Sequence, residues 1–248
     1  ILQDTMYNVA LRMLWHPEDA KEATQEILIR VVTHLGQFEG KSSFYTWVYS
    51  IAANHLRDCR KSRLEERAVN YDGFESDLLD GLQEPDENLR KSPEYPKMLE
   101  EVRIGCTLAM LLCLDRAHRL AYILGEIFEL DHSEASEALK VSPEAFRKQL
   151  SRARRKVEDF TRKVCGLVDP NNSCHCTKKI TCAISRGRVV PGSLLFTGQI
   201  DKNQFAQVQE KIKQSQEELR VITLYREHPR FQSPENFGKL IARMFSAG

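Results

Sequence analysis

The sequence predicts an all-α protein: two helical domains joined by an acidic flexible linker, then a mostly helical C-terminal extension with a short hairpin. Three observations carry that prediction. Apolar residues recur at helical spacing through most of the chain. Helix-start signals such as Ser142-Pro143-Glu144 punctuate it. Charge is segregated along the chain, although 36 Lys and Arg against 35 Asp and Glu leave a total of only +1. At 248 residues the chain is long enough for two or three small domains. No apolar run approaches the roughly 20 residues needed to span a bilayer. No secretory signal is legible and seven cysteines are present, so a reducing, cytoplasmic location is expected, with no membrane partner.

Residues 1–70 read as the first helical domain. Tyr7, Ala10, Leu11 and Leu14 mark one helix, and His16-Pro17-Glu18-Asp19 opens a second. The second helix carries Ala23, Ile27, Val31 and Leu35 on one face, with Thr24, Leu28 and Val32 alongside. A third helix is predicted from Phe44 to about Arg63. Phe44, Tyr45, Trp47 and Tyr49 cluster at its start, while Asn54, Arg57, Arg60 and Lys61 populate its later turns. Buried aromatics are usually plain core. Aromatics beside cationic residues also suit stacking of unpaired bases, at about 1–3 kcal/mol per base.

Residues 71–100 change character and are expected to be the linker: with Glu101 included, ten acids stand against three bases, a local charge of −7. Residues 101–164 read as the second domain and end in a helix-turn-helix. Ser133 to Leu139 is its short helix, Lys140-Val141 its turn, and Ser142 caps the helix that follows. On that last helix Phe146, Leu150, Ala153, Val157 and Phe160 form an apolar stripe, with Glu144, Lys148, Ser151, Arg152 and Arg155 opposite. From Ser142 to Lys163 eight bases face three acids, a local +5. A helix buried on one side and cationic on the other suits a major groove between phosphates.

Residues 165–248 form the extension. Cys165, Cys174, Cys176 and Cys182 lie within eighteen residues, with His175 among them. Four thiols in a short loop are candidate ligands for zinc or another soft metal; a redox switch and inert thiols are the alternatives. Cys59, Cys106 and Cys113 sit in helical patterns and read as packing residues. A hairpin is expected at residues 188–197, a long amphipathic helix from Asp201 to Ile222, and another from Ser233 that presents Phe237 and Leu240.

Taken in order, these features resemble a sigma factor of bacterial RNA polymerase, of the small extracytoplasmic-function type, over residues 1–163. The resemblance implies an alternative sigma factor that binds core RNA polymerase and promoter DNA and is not an enzyme. It assigns polymerase binding to Glu18, Asp19, Thr24, Gln25 and Glu26. It assigns melting and reading of the −10 element to Phe44, Trp47, Asn54, Asp58, Arg60 and Lys61. Ser142, Arg147, Lys148, Ser151, Arg152 and Arg155 would read the −35 element. The acidic linker would thread a cationic polymerase channel. Three positions depart from the family pattern: Ser50 stands for a usual Arg, Ser136 for a usual Ala, and Lys140 for a turn residue that is commonly Gly. No cofactor is implied as required, although some sigma factors sense metals through cysteine-rich extensions. Regulation by a separate anti-sigma protein, or by residues 184–248 folding back on the sigma domains, are both expected routes. The competing readings are a free-standing helix-turn-helix regulator and, less favoured, a metal- or redox-sensing enzyme. The enzyme reading lacks a paired general base, a phosphate-binding glycine loop or a nucleophile triad.

Overall fold

The computed structural model describes residues 1–59, 65, 70–198 and 203–239. Its helices are α1 (Leu2–Leu14), α2 (Pro17–Thr33), α3 (Phe44–Asp58), α4 (Tyr71–Leu79), α5 (Glu87–Lys91) and α6 (Tyr95–Leu112). They continue as α7 (Arg116–Tyr122), α8 (His132–Leu139), α9 (Pro143–Val164), α10 (Cys176–Ser185), α11 (Gln204–Gln214) and α12 (Arg220–Arg226). Among the described residues there is no strand, only an isolated bridge between Cys165 and Cys174. The chain forms two compact units, each assembled from separate stretches: Ile1–Ala68 with Leu114–Arg154 and Arg230–Gly248, and Val69–Cys113 with Arg155–Pro229.

In the first unit α1 and α2 form an antiparallel pair. Met6, Val9, Ala10, Leu11 and Met13 of α1 are buried, as are Ala20, Ala23, Ile27, Leu28 and Val31 of α2. Pro17 starts α2 behind His16, whose ring accepts the Glu18 N–H at 3.3 Å. The apolar face expected on this helix runs out early, since Val32 and Leu35 are exposed. Ser43 caps α3 by accepting the Thr46 N–H at 3.0 Å, and Val48, Tyr49, Ala52, Ala53 and Leu56 line its buried side.

The π-helical turn Ile123–Ile127 brings Phe128 edge-on to Tyr49, with ring centroids 6.4 Å apart, and places it under the Arg12 guanidinium at 5.5 Å. Burial pulls the Arg12 guanidinium down to about 10. Two further arginines tie α7 to the start of the chain. Arg119 donates to the carbonyls of Met13 at 2.6 Å and Leu114 at 2.8 Å, and Arg116 to those of Leu56 at 3.0 Å and Cys59 at 2.7 Å. Both also grip the Glu65 carboxylate, at 2.7 Å each.

Asp131 caps α8, accepting from Ser133 N–H at 2.8 Å and Glu134 N–H at 2.9 Å. Lys140 ends it in the left-handed region (φ 55°), its N–H on Glu137 C=O and that of Val141 on Ser136 C=O, a Schellman turn. A side chain there is strained by about 1–2 kcal/mol. Lys140→Gly is therefore expected to raise stability by about 0.5–1 kcal/mol, net of glycine's larger chain entropy. Urea denaturation would read this through Trp15 and Trp47, the two tryptophans of the chain, both in this unit. Gly125 lets α9 approach closely: a Cβ there would lie 3.0 Å from a Leu150 methyl.

The second unit revises the expectation for residues 71–100. They carry α4, α5 and the start of α6 where a flexible linker was expected. Asn70 and Asp86 cap α4 and α5, accepting from Gly73 and Leu89 N–H at 2.7 Å each. The acids at positions 75, 77 and 80 are matched by bases from farther along the chain. Asp77 pairs with Arg186 at 2.7 Å and with Arg188, Asp80 pairs with Arg186, and Glu75 pairs with Lys163 at 2.6 Å. The Arg188 hydrogen bond, ahead of its charge, holds the Asp77 carboxyl below its ordinary range. Met98, Leu99 and Val102 of α6 pack on Ile180 and Ala183 of α10, on Val189, and on Phe205 of α11.

The expected hairpin at residues 188–197 is absent. The buried Glu101 carboxylate accepts the N–H groups of Leu195 at 2.6 Å and of Phe196 and Thr197 at 3.0 Å. Those donors, which a partner strand would otherwise have taken, turn the segment into a loop. The long helix expected from Asp201 to Ile222 is broken at Ser215–Gln216 into α11, a 3-10 turn (Glu217–Leu219) and α12. The helix expected from Ser233 does not start there: residues 233–236 are irregular and the described helical residues are 237–239, with Phe237 buried; Leu240 and the residues after it lie outside the described residues.

Candidate nucleic-acid interface

The cationic face of α9 follows from its sequence period. Phe146, Leu150, Ala153, Val157 and Phe160 are buried, which leaves Arg147, Lys148, Ser151, Arg152 and Arg155 exposed on the opposite side. Lys148 pairs with Glu144 one turn earlier at 2.7 Å, so its ammonium is held along the helix rather than projecting freely. The Ser142 oxygen accepts the Ala145 N–H at 3.1 Å, so this residue serves first as the cap that starts the helix. Arg154, on the flank, reaches back to Glu126 and is committed to the fold. A free cationic edge with a capped N-terminus can enter a major groove and contact base edges and phosphates.

A second candidate surface forms at the start of α3. The Phe44 ring lies 5.9 Å from that of Trp47, and Phe38 joins both, 5.7 Å from Phe44 and 5.4 Å from Trp47. Phe44 is 36% exposed and Tyr45 48%, while Trp47 is half-buried. Sequence reasoning missed Phe38, which lies before the helix in a turn without periodicity; its only signal was an aromatic next to two glycines. Asn54 is half-buried and Asp58 exposed farther along α3. Arg60 and Lys61 lie outside the described residues. Arg57 is turned away, donating to the Leu139 carbonyl at 3.2 Å.

On α2, Glu18 and Glu26 are exposed, with Asp19 and Gln25 half-buried. Thr24 corrects the expectation for this helix. It is fully buried and its hydroxyl donates to Ala20 C=O at 2.6 Å, so it packs the helix instead of presenting a contact.

The four cysteines of the extension do not converge. Cys165 and Cys174 face each other across their bridge, and Gly166 N–H donates to Cys174 C=O at 2.9 Å. His175 is stacked so closely on Gly166 that a Cβ there would lie 2.5 Å from the ring. Cys182 is elsewhere, its sulfur 2.9 Å from where a Cβ on Gly81 would fall. Cys106, which the sequence suggested was simple packing, feels the charges of Cys165, Cys174 and Cys176, and Cys176 those of Cys165 and Cys174. Burial, and then these neighbours, push the Cys106 and Cys176 thiols well up and Cys174 up to about 11. Among the described residues no group of three or more His, Cys, Asp or Glu is arranged to hold a metal ion. The proposed zinc set therefore does not fit this arrangement of side chains.

A capped cationic recognition helix and an exposed aromatic cluster, in an all-helical frame, define a helix-turn-helix DNA-binding protein. Comparison with known proteins narrows this. Residues 2–64 match the family model for sigma-70 region 2, and residues 104–157 match that for sigma-70 region 4. The RNA polymerase sigma factor YlaC of Bacillus subtilis is 28% identical over 152 residues, covering 59% of this chain and 80% of its own. SigE of Mycolicibacterium smegmatis is 28% identical over 163 residues, 64% of this chain and 58% of its own. The sigma-E factor of Escherichia coli K12 is 26% identical over 148 residues, 57% of this chain and 73% of its own. A crystal structure of SigJ from Mycobacterium tuberculosis aligns with a TM-score of 0.40 at 20% identity, covering 75% of this chain and 57% of its own. At that level a shared fold does not follow. The chain belongs to the sigma-70 family of RNA polymerase sigma factors, in its extracytoplasmic-function branch. It is an alternative sigma factor, which binds core RNA polymerase and promoter DNA and directs promoter-specific transcription initiation. No helix among the described residues is long and apolar enough to cross a membrane.

Proposed function

We propose that promoter recognition is divided between two surfaces. The α9 face, with Arg147, Lys148, Ser151, Arg152 and Arg155, reads the −35 element as duplex. The Phe38, Phe44 and Trp47 cluster, with Asn54 and Asp58, captures bases of the −10 element once they leave the stack. Glu18, Asp19, Gln25 and Glu26 of α2 meet the polymerase. In this reading the protein works in the cytoplasm as a non-enzymatic initiation factor, with no cofactor required. The observation that carries it is the separation of chemistries: a cationic helix face suits phosphates and base edges, and an exposed aromatic cluster suits unstacked bases.

The test is abortive initiation with core polymerase and a pool of randomised promoter fragments. Fragments enriched only in the presence of polymerase, with two separated motifs, support the division. A single palindromic motif bound equally well without polymerase would overturn it. Phe44→Ala sharpens the assignment. It is expected to lower initiation on a duplex promoter by about 10-fold, in line with one lost stacking contact, and to leave the −35 preference unchanged. A template with a pre-opened −10 bubble should not restore that variant, because capture and not only opening is lost. Full rescue by the bubble would count against base capture.

A further inference from the structure

The segment at residues 230–239 lies along α1 as a strap, irregular through residue 236 and helical at residues 237–239, and two α1 amides read its backbone. Asn8 Nδ2 donates to Phe231 C=O at 2.6 Å, and its Oδ1 accepts Phe231 N–H at 3.2 Å. Gln3 does the same from the other end: Nε2 donates to Glu235 C=O at 2.8 Å and Oε1 accepts Phe237 N–H at 2.8 Å. Between them the Asp4 carboxylate accepts Ser233 N–H at 2.9 Å. The spacing explains the match. Asp4 and Asn8 are about one helical turn apart, roughly 5.4 Å, and two extended residues cover roughly 6.6 Å. Strap residues 231 and 233 therefore meet α1 positions 8 and 4 in register, running opposite to the helix. Phe237 is fully buried at the end of the strap.

The strap also reaches α2. Glu235 lies 3.4 Å from the Lys21 ammonium, which holds Glu18 at 2.6 Å. Glu18 opens the acidic edge read above as the polymerase contact, so a partner approaching that edge meets the strap.

We infer that the 230–239 strap is a built-in antagonist of core polymerase: it occupies the α1–α2 edge of region 2 and must be displaced for the polymerase to engage. This rests on the reading of α2 as the polymerase contact. The α1 side chains that hold the strap recognise its backbone groups, so the same face would accept the segment supplied as a separate peptide.

The test measures binding of fluorescently labelled full-length chain to core polymerase. Phe237→Asp, which keeps the chain intact but cannot be buried, is expected to tighten binding by about 5- to 100-fold, the usual range of coupling between sites. Glu235→Lys, which reverses the contact with Lys21 without touching the core, should tighten it by a smaller factor. A synthetic peptide of residues 229–239 should weaken binding of the Phe237→Asp chain. Unchanged or weaker binding of both variants overturns the inference, as does a peptide without effect. Glu18→Lys, tested in the Phe237→Asp background, separates the underlying reading: if it leaves binding unchanged, the assignment of α2 fails, whatever the strap variants do.

Discussion

Replacing Arg119 by alanine is expected to lower the stability of the first unit by about 3–5 kcal/mol, the range for removing one partner of a buried ion pair. The side chain is 2% exposed and donates to the Met13 and Leu114 carbonyls and to the Glu65 carboxylate. Alanine would take that donor from two buried carbonyls and remove one of the guanidinium partners of Glu65. Urea denaturation read by tryptophan fluorescence would measure the loss, and a change below about 1 kcal/mol would show that the three contacts carry little net energy. The same cluster sets an acid limb. Burial alone would raise the Glu65 carboxyl, but hydrogen bonds and charge from Arg116 and Arg119 outweigh it and bring the group below its ordinary value of 4.5. Because the folded-state value is the lower one, the contribution is present above that ordinary value and is lost as pH falls through the folded one. Wild type should therefore lose stability on acidification below about pH 4.5 more steeply than Glu65→Gln.

The largest functional effect is expected from Arg147→Ala combined with Arg152→Ala on α9. A good bidentate contact from arginine to a base is worth about 1–3 kcal/mol, so losing two should cut transcription from a −35-dependent promoter by about 100-fold or more. Both side chains are exposed and stand outside the packing of the helix, so the double variant should fold as wild type does. The sequence preference at the matching −35 positions should relax. Lys148→Ala is expected to behave differently: a lysine already paired with Glu144 is suited to a phosphate, and its loss should weaken binding uniformly and lower the salt dependence by about one counterion. Equal losses on cognate and scrambled −35 sequences for the arginine pair would show that they too contact only the backbone.

Most of the candidate site was legible in local pattern. The α9 face follows from a 3.6-residue period and a Ser-Pro start, and the fold keeps each apolar position of that stripe inside. The aromatic cluster was legible from Phe44 and Trp47, short of Phe38. Thr24 was misplaced because its position in a motif says nothing about burial: a threonine satisfies its hydroxyl on Ala20 C=O and then packs like valine. The acidic stretch was misread for a similar reason. Composition reports the charge of a segment, whereas its order depends on partners about a hundred residues away, Arg186 and Arg188.

Local sequence sets the helical class, the caps, the cationic face of α9 and the family, because each of these is written in residues within a few turns of one another. Tertiary structure alone decided the rest: that acids at 75–80 are paired, that a carboxylate at Glu101 unmakes a hairpin, and that Cys182 stands apart from Cys165 and Cys174. The strap on α1 belongs with these. Its recognition joins Gln3, Asp4 and Asn8 to residues more than two hundred positions later, and contacts between such distant segments leave no local periodicity to read.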